Sequence, residues 1–559
     1  MSKAKKILVA VAWPYVNGDL HLGHLAGYLL PADIFARWHR FVGNDVLMVS
    51  GSDCFGTPVA LEADKRGLKP IDIIEEYHPK NVALFKSLNL DFDIYTRTDN
   101  PIHQETVQDI FVSLLEKKLI YHDTSEQYYS ETENKFLPDR YVEGTCPHCG
   151  YTEARSDQCD NCDRLITQGE LIKPISKLTK TPVVLKSSEH YFFDWPKLES
   201  FLKDYVKSYG SKWRPWIYNE VKRWLAGGLR PRAITRDLNW GVMIPSDRIA
   251  KNQLIEGHEH KRIYVWFEAV IGYLSASIQY SREHNNEIWK DFWYEKKSEH
   301  YYFMGKDNLV FHTLFWPGQL HGYDTKLHLP DVQAINQFLT LGNEGFSKSH
   351  GITLNPLKMA QDFGLDVIRF YISLIMPENH DTDFTWSDFI AKTNNLLIAN
   401  LGNFLFRTLK LCEDLDFKNT KTDKKIIKLC QSALDENSTL MSTCSFRNYA
   451  ERILDLSSYG NKYLSDLAPW KVKKTDEKKY QTIMANAALI SLTLLVLIKP
   501  IMPDSFKALA KMMSIEIKNW PNVKILTKLL KQVEVKHPQP LFKKIESDPE
   551  IENFNEKYR

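Results

Sequence analysis

Two kinds of apolar pattern divide the chain. Short continuous apolar runs, of the kind left by a strand buried on both faces, occur at residues 7–13, 46–49 and 301–304. Each ends in small, polar or turn-forming residues: Pro14-Tyr15, Gly51-Ser52-Asp53 and Gly305-Lys306-Asp307. Between the first two runs a helical period extends from about Gly23 to Trp38 and is closed by Gly43. Strand, loop, helix, strand is the opening unit of a doubly wound parallel sheet, which binds ligands at the carboxyl ends of its strands. The aromatic run from Arg262 to Tyr273 predicts a return to that sheet. From about residue 388 to 540 the period is helical, punctuated by Pro and Gly with no strand alternation, and predicts a helix bundle. The expected fold is α/β: a Rossmann-type doubly wound sheet, an insertion within it, and a C-terminal all-α bundle.

Composition adds scale and a charge asymmetry. A chain of 559 residues with 43% hydrophobic and 12% aromatic content has room for several domains, each with its own core. The net charge of +2 conceals two unlike regions. Residues 1–390 hold 44 Lys+Arg against 51 Asp+Glu, whereas residues 391–559 hold 28 against 19. A basic C-terminal third suggests a polyanionic partner, although a lysine-rich helical surface produces the same count. The apolar stretch 487–498 is too short to span a bilayer before Lys499-Pro500 and reads as a buried helix. Lys3, Lys5 and Lys6 precede an apolar run, but Pro14-Tyr15 is no small-residue cleavage site. A soluble cytoplasmic protein is the expectation.

Four of the eight cysteines cluster, as Cys146-Pro-His-Cys149 and Cys159-Asp-Asn-Cys162. Two Cys-x-x-Cys knuckles at this spacing predict one tetrahedral Zn²⁺ site, structural because four thiolates leave no open position. His148 lies inside a knuckle and is not expected to be a ligand. Cys54, Cys412, Cys430 and Cys444 are scattered and read as small buried apolar residues.

The loop after the first strand carries His21 and His24 on either side of Gly23, at the start of the helix. Unpaired N–H groups and the helix dipole there favour an anion such as phosphate. The imidazoles add donors that strengthen as charge develops on it. Gly23 leaves room for a flat base against the backbone. Far along the chain, Asn343-Glu-Gly-Phe-Ser347-Lys348-Ser349-His-Gly351 is a glycine-flanked lysine loop and not a Walker A loop.

The string Pro14-Tyr-Val-Asn-Gly-Asp-Leu-His-Leu-Gly-His24 resembles the "HIGH" signature of class I aminoacyl-tRNA synthetases, and the lysine loop resembles their "KMSKS" element. In detail the chain resembles the methionyl-tRNA synthetase family. The resemblance implies domains over 1–115 (first half of the nucleotide-binding domain), 116–250 (connective-peptide insertion with the zinc knuckle), 251–330 (second half), 331–387 (linking region with the lysine loop) and 388–559 (anticodon-binding bundle). It implies catalytic roles for His21, His24 and Lys348. ATP would be bound by these three with Gly23, Asp307, Asn308, Ser347, Ser349 and Arg236. Methionine would be held by Ala12, Trp13, Tyr15, Trp266, Ala269, Tyr273, His312 and Phe315, with Asp53 on its ammonium group. Asn395 and Trp470 would read the anticodon.

Several positions depart from the family pattern. Trp13 and Val270 replace the usual aliphatic residue and proline, and Ala399 stands where an arginine is common. Gly345 and Phe346 replace the first lysine and the methionine of the loop signature, removing one cation. The resemblance implies ATP-dependent activation of methionine and its transfer to the 3′ end of tRNA(Met), with Mg²⁺ accompanying ATP. The chain stops soon after Phe542, which leaves no room for a dimerising domain and implies a monomer. The alternatives are a synthetase for another apolar amino acid and a non-catalytic tRNA-binding relative.

Overall fold

The computed structural model of the chain describes residues 4–137, 139–156, 159, 161–162, 164, 166–167, 169–346, 352–546 and 554–559. Its centre is a five-stranded parallel sheet built from β1 (Lys6–Val11), β2 (Asp45–Ser52), β3 (Ile94–Arg97), β4 (Glu299–Gly305) and β5 (Val332–Asn336). Their spatial order is β5-β4-β1-β2-β3, with every pair parallel. The order reverses at β1, so the crevice between β1 and β4 is the topological switch point where such sheets bind ligands. Ile7 to Val11 are fully buried because helices cover both faces.

The helix after β1 starts at Leu22–His24, widens into a π turn over Leu25–Leu29 and continues as α-helix over Leu30–Phe41. Gly43, at φ +90°, supplies the left-handed turn that ends it. Residues 120–130 and 184–193 of the insertion form a long antiparallel pair, and the cysteine knuckles sit on a separate small sheet. The run from Arg262 to Tyr273 corrects the sequence expectation. Lys261–Ile263 is a strand, but it pairs antiparallel with Thr235–Asp237 and Val242–Met243 and not with the central sheet. Residues 265–283 are then helical, as Val265–Glu268, a 3-10 turn Ala269–Ile271 and Gly272–Glu283. The bulky aromatics that suggested a strand instead pack on one side of this helix, against the 311–315 turn and Tyr302.

The C-terminal part is the expected bundle. Its central helix, Glu477–Ile498, is apolar and long enough to cross a membrane by length and composition, and it is buried among the other helices. Asp33 and Arg369 join the parts. Asp33 is fully buried on the first helix, and Arg369, on helix Leu365–Ile375, is 1% exposed. Their ion pair measures 2.6 Å, and Arg37 also reaches Asp33 at 2.8 Å. Arg369 further donates to the carbonyls of Ile501 (2.6 Å) and Pro500 (3.1 Å), just past the central bundle helix. Burial alone would push the Asp33 carboxyl up; Arg369 and Arg37 outweigh it and hold it below the usual range.

Asp33→Asn should lower the free energy of unfolding by about 3–5 kcal/mol, because Arg369 is left buried without its counter-charge. The folded pKa is depressed, so this contribution is present above the ordinary carboxylate pKa and fades as pH falls through the lowered value. Urea denaturation at pH 7 and at pH 3, below the ordinary carboxylate pKa, reads both effects; an unshifted midpoint at pH 7 would refute the role.

Candidate active site

The two histidines cap their own helix. The His21 Nδ1 accepts the Gly23 N–H at 3.2 Å, and the His24 Nδ1 accepts the His21 N–H at 3.2 Å. Backbone N–H groups can only donate, so each Nδ1 is an acceptor and each neutral ring carries its proton on Nε2. The ring centroids are 3.9 Å apart. Two Nε2–H donors therefore stand together at a helix N-terminus, a setting suited to phosphate oxygens.

The lysine-loop expectation is tested only at its flanks, because Ser347, Lys348 and Ser349 lie outside the described residues. Before them, strands Leu339–Leu341 and Glu344–Gly345 form a hairpin across Gly342 and Asn343. Both turn residues have positive φ (61° and 65°), as a two-residue type I′ turn requires. The Phe346 ring that follows lies parallel to His21, with centroids 5.0 Å apart. After them, the Leu354 carbonyl accepts the Leu22 N–H at 3.0 Å. Both flanks of the loop thus touch the histidine-bearing helix start.

Across the cleft, the segment after β1 runs beside the end of β2: Asp53 N–H donates to the Pro14 carbonyl at 2.9 Å, and Tyr15 bridges Asp53. The Tyr15 ring packs where a Gly56 side chain would stand. Asp53 is 4% exposed and has an unpartnered Oδ1. Burial, and secondarily the neighbouring Glu268 carboxyl, raises its pKa well above the usual range. An ammonium group would supply the missing counter-charge and partner.

Glu268 and His103 were not singled out from sequence. Both are fully buried and bonded at 2.7 Å. Burial raises the Glu268 pKa and lowers that of His103 to about 3, so the pair is neutral: Glu268 donates to His103 Nε2. His103 Nδ1 then donates to Ser275 Oγ at 2.8 Å, and Ser275 to the Gly272 carbonyl at 3.2 Å. A carboxylate inside the aromatic run 264–273 was the available signal; His103 had none, because its partner is 165 residues away. Arg140 is a second addition. It lies over the Tyr15 ring at 5.7 Å and makes no ion pair among the described residues, and its charge lowers the pKa of Asp53 and Asp307.

The remaining pocket candidates fall into two groups. Tyr273 and His312 meet at 2.7 Å, and His312 Nδ1 donates to the Asn308 carbonyl at 2.9 Å. His312 Nε2 is then the acceptor and Tyr273 the donor; burial lowers the His312 pKa to about 4 and keeps it neutral. Trp13 lies across Gly51 and Gly272, 2.6 Å from where a Gly272 Cβ would stand, with its indole N–H buried and unpartnered. Ala12 is held on β4 by its N–H to the Phe303 carbonyl at 2.9 Å, and Ala269 follows Glu268 at the helix turn. Trp266 stacks on Phe311 at 4.1 Å. Phe315, by contrast, is 2% exposed among Phe193, Trp195 and Phe267, as a core residue would be.

Asp307 and Asn308 cap β4 at the mouth of the cleft, where reduced hydration raises the Asp307 pKa. Arg236 packs on the Tyr264 ring at 4.0 Å and donates to the Ala233 and Thr235 carbonyls, contacts that hold it on its own small sheet. In the bundle, Trp470 is 41% exposed and so is not a core residue. The Arg407 guanidinium lies over it at 5.6 Å. Asn395 is exposed within a ten-residue π segment, Thr393–Gly402.

The four cysteine sulfurs lie within 4.8 Å of one another. Cys146–Cys162 and Cys149–Cys159 are 3.9 and 3.6 Å apart, far beyond a disulfide bond. A tetrahedron with metal–sulfur bonds of about 2.3 Å has edges of roughly 3.8 Å, so the set fits a metal ion of zinc's preference. The knuckle packs through Tyr141, Val142 and Cys146 on Leu61, and Tyr141 donates to Asp64 at 3.0 Å. Both anchors belong to helix Thr57–Arg66, which begins four residues after Asp53.

Comparison with known proteins agrees along the whole chain. Residues 7–409 match the family described as tRNA synthetases class I (M), and residues 416–559 match the anticodon binding domain of methionyl tRNA ligase. The chain belongs to the methionyl-tRNA synthetase family. A methionine–tRNA ligase from Roseiflexus sp. (strain RS-1) is 41% identical over 521 residues, 91% of this chain and 86% of the relative. One from Thermoplasma volcanium is 37% identical over 547 residues, 97% and 98% of the two chains. Among solved structures, Mycobacterium tuberculosis methionyl-tRNA synthetase in complex with methionyl-adenylate shares the fold, with a TM-score of 0.76 at 22% identity. The match covers 96% of this chain and 99% of that one. The departures at Trp13, Gly345 and Phe346 therefore belong to a methionyl-tRNA synthetase family member.

Asp53→Asn should raise the methionine KM by at least about tenfold, the loss of one buried ion pair. It should also make the fold more stable at neutral pH. The folded pKa is raised, so the native state binds more protons between the unfolded and folded values, and Asp53 opposes folding above that window. For the unmutated chain, methionine affinity should fall as pH drops through the raised pKa. An Asp53→Asn chain with unaltered methionine KM and reduced stability would contradict this account.

Proposed function

We infer that this chain is a methionine–tRNA ligase. In the first step the methionine carboxylate attacks the α-phosphate of ATP and pyrophosphate leaves. In the second a terminal ribose hydroxyl of tRNA(Met) takes the methionyl group and AMP leaves. The substrate carboxylate is the nucleophile, so the protein's task is positioning and charge stabilisation. One observation carries this reading: the His21 and His24 rings stand 3.9 Å apart at a helix N-terminus, each with its Nδ1 accepting a backbone N–H.

His21 and His24 donate there to the phosphate oxygens that gain charge. Lys348, two residues beyond Phe346 in the chain, supplies the cation, and Ser347 and Ser349 supply hydroxyl donors. Asp53 takes the methionine ammonium, and the neutral Glu268–His103 pair next to it keeps a second negative charge away. Trp13, Tyr15, Trp266, Ala269, Tyr273 and His312 enclose the thioether. Asp307 and Asn308 face the nucleoside. Trp470, braced by Arg407, offers a stacking face for an unpaired anticodon base, and Asn395 a polar contact beside it; such stacking contributes about 1–3 kcal/mol per base. Cys146, Cys149, Cys159 and Cys162 hold one structural Zn²⁺, and Mg²⁺ enters with ATP. The chain acts as a cytoplasmic monomer.

Amino-acid-dependent ATP–pyrophosphate exchange tests the reading. Methionine should support exchange, while cysteine, leucine and isoleucine should not. His24→Ala should slow exchange about 100-fold or more with little change in methionine KM, as expected for a donor used only in the transition state. Binding of tRNA without any exchange would establish a non-catalytic relative instead. Removing zinc with a chelator should raise the methionine KM, because the knuckle buttresses the helix after Asp53; an unchanged KM in the demonstrably zinc-free protein would disprove that link.

A further inference from the structure

Gly345 and Phe346 are the two positions at which the lysine loop departs from its family signature, and the fold gives them one shared location. The Phe346 ring is half-buried and parallel to the His21 imidazole, with planes 11° apart. Its Cδ2 atom lies 3.1 Å from the point a Gly23 Cβ would occupy, and the His21 ring lies 3.0 Å from the same point. The ledge at Gly23 is thus already covered by an aromatic ring.

Stacked aromatic surfaces sit about 3.5–4 Å apart, so a base between Phe346 and Gly23 would need roughly 7 Å of clearance. The contact distance excludes it. A flat base can reach this ledge only after Phe346 has left, and the slot it leaves, parallel to an imidazole and above a residue with no side chain, has the shape of an aromatic ring.

The means of leaving is also present. The hairpin before Phe346 is fixed, since Asp383 accepts both the Asn343 N–H at 2.8 Å and the Thr340 hydroxyl at 2.6 Å. Gly345 is the last residue of that hairpin, opposite Thr340; it is exposed and has nothing within 4 Å of where its Cβ would be. A glycine at the open end of a hairpin turns with little steric resistance, and it is the residue next to the ring.

We propose that Gly345 and Phe346 form an aromatic plug: Phe346 occupies the nucleotide-base ledge at Gly23 in the empty chain, and the adenine of ATP displaces it by a turn about Gly345. The proposal rests on the nucleotide site inferred above. Phe346 is a positioning residue that sets the apparent ATP affinity, because the ligand binds only the fraction of molecules in which the ledge is open.

The test uses the full-length chain. Phe346→Ala should lower the ATP KM in pyrophosphate exchange by about three- to tenfold, the factor by which an occupied ledge reduces apparent affinity, and leave the methionine KM unchanged. Phe346→Leu, which keeps apolar bulk without a flat ring, should behave similarly and guards against a folding defect. Phe346→Trp should raise the ATP KM. Adenosine alone should shift the ¹⁹F resonance of a 4-fluorophenylalanine placed at 346, whereas methionine alone should not. An ATP KM that rises in both Phe346→Ala and Phe346→Leu would overturn the plug in favour of a ring that stacks on the bound base, and a ¹⁹F signal unmoved by adenosine at concentrations that bind would overturn it as well. If the unmodified chain binds no ATP by calorimetry, the nucleotide site itself fails, a result distinct from either.

Discussion

The buried Asp33–Arg369 pair ties together three parts of the chain that are distant in sequence. Asp33 belongs to the helix whose first turn carries the two histidines, Arg369 to the second helix after the lysine loop, and the carbonyls of Pro500 and Ile501 to the bundle. The Asp33 carboxylate accepts a third contact, the Asp91 N–H on its Oδ1 at 2.8 Å, just before β3. A charge this deeply buried is tolerable only while its partners stay in place, so these elements cannot slide independently. The meeting of Leu354 with the Leu22 N–H, and of Phe346 with the His21 ring, depends on that fixed frame. The chain's last residues extend the same frame: Tyr558 is 1% exposed among Trp386 and Phe363, and its carbonyl accepts the Asn355 N–H at 2.6 Å.

Two carboxyl groups are buried close to the amine site, and their environments assign them different work. Glu268 is neutralised by a proton shared with His103, and that proton is part of an unbroken donor sequence ending at a backbone carbonyl. Asp53 has no such partner for its Oδ1. Glu268 Oε1 is unpartnered too, but its carboxyl is neutralised through Oε2, whereas Asp53 has no such proton-sharing partner and is left to a cation, at a cost in stability. The Arg140 cation over Tyr15, and the knuckle whose Tyr141 grips Asp64, bring the insertion with the four-cysteine cluster to the same corner of the cleft.

Three of the candidate positions also lie at a widened helix. π turns occur at Leu25–Leu29 after the histidines, at Phe311–Phe315 around His312, and at Thr393–Gly402 around Asn395. A π turn inserts a residue into the helical repeat and redirects the side chains that follow, which accounts for its association with functional positions. Nothing in the apolar spacing distinguished these turns from ordinary α-helix, because one inserted residue leaves the overall period almost unchanged.

Local chemistry was legible in the chain itself wherever function needs residues close in sequence. Two knuckles, a histidine pair around a glycine and strand runs ending in Gly and Asp each state their role within a dozen residues. Long-range relations were not legible. The helix at 265–283 was mistaken for sheet because aromatic bulk suits both a strand and one side of a buried helix, and only the neighbours choose between them. The neutral Glu268–His103 pair, the placing of Trp13 over two glycines, and the covering of Gly23 by Phe346 join residues separated by 38 to more than 300 positions. Sequence alone settled what chemistry the chain can perform, because ligand identity resides in side-chain types and short spacings. Which carboxyl is charged, which ring occupies the ledge and which imidazole nitrogen bears the proton were decided only by tertiary structure, because desolvation and hydrogen-bond geometry arise when distant segments pack.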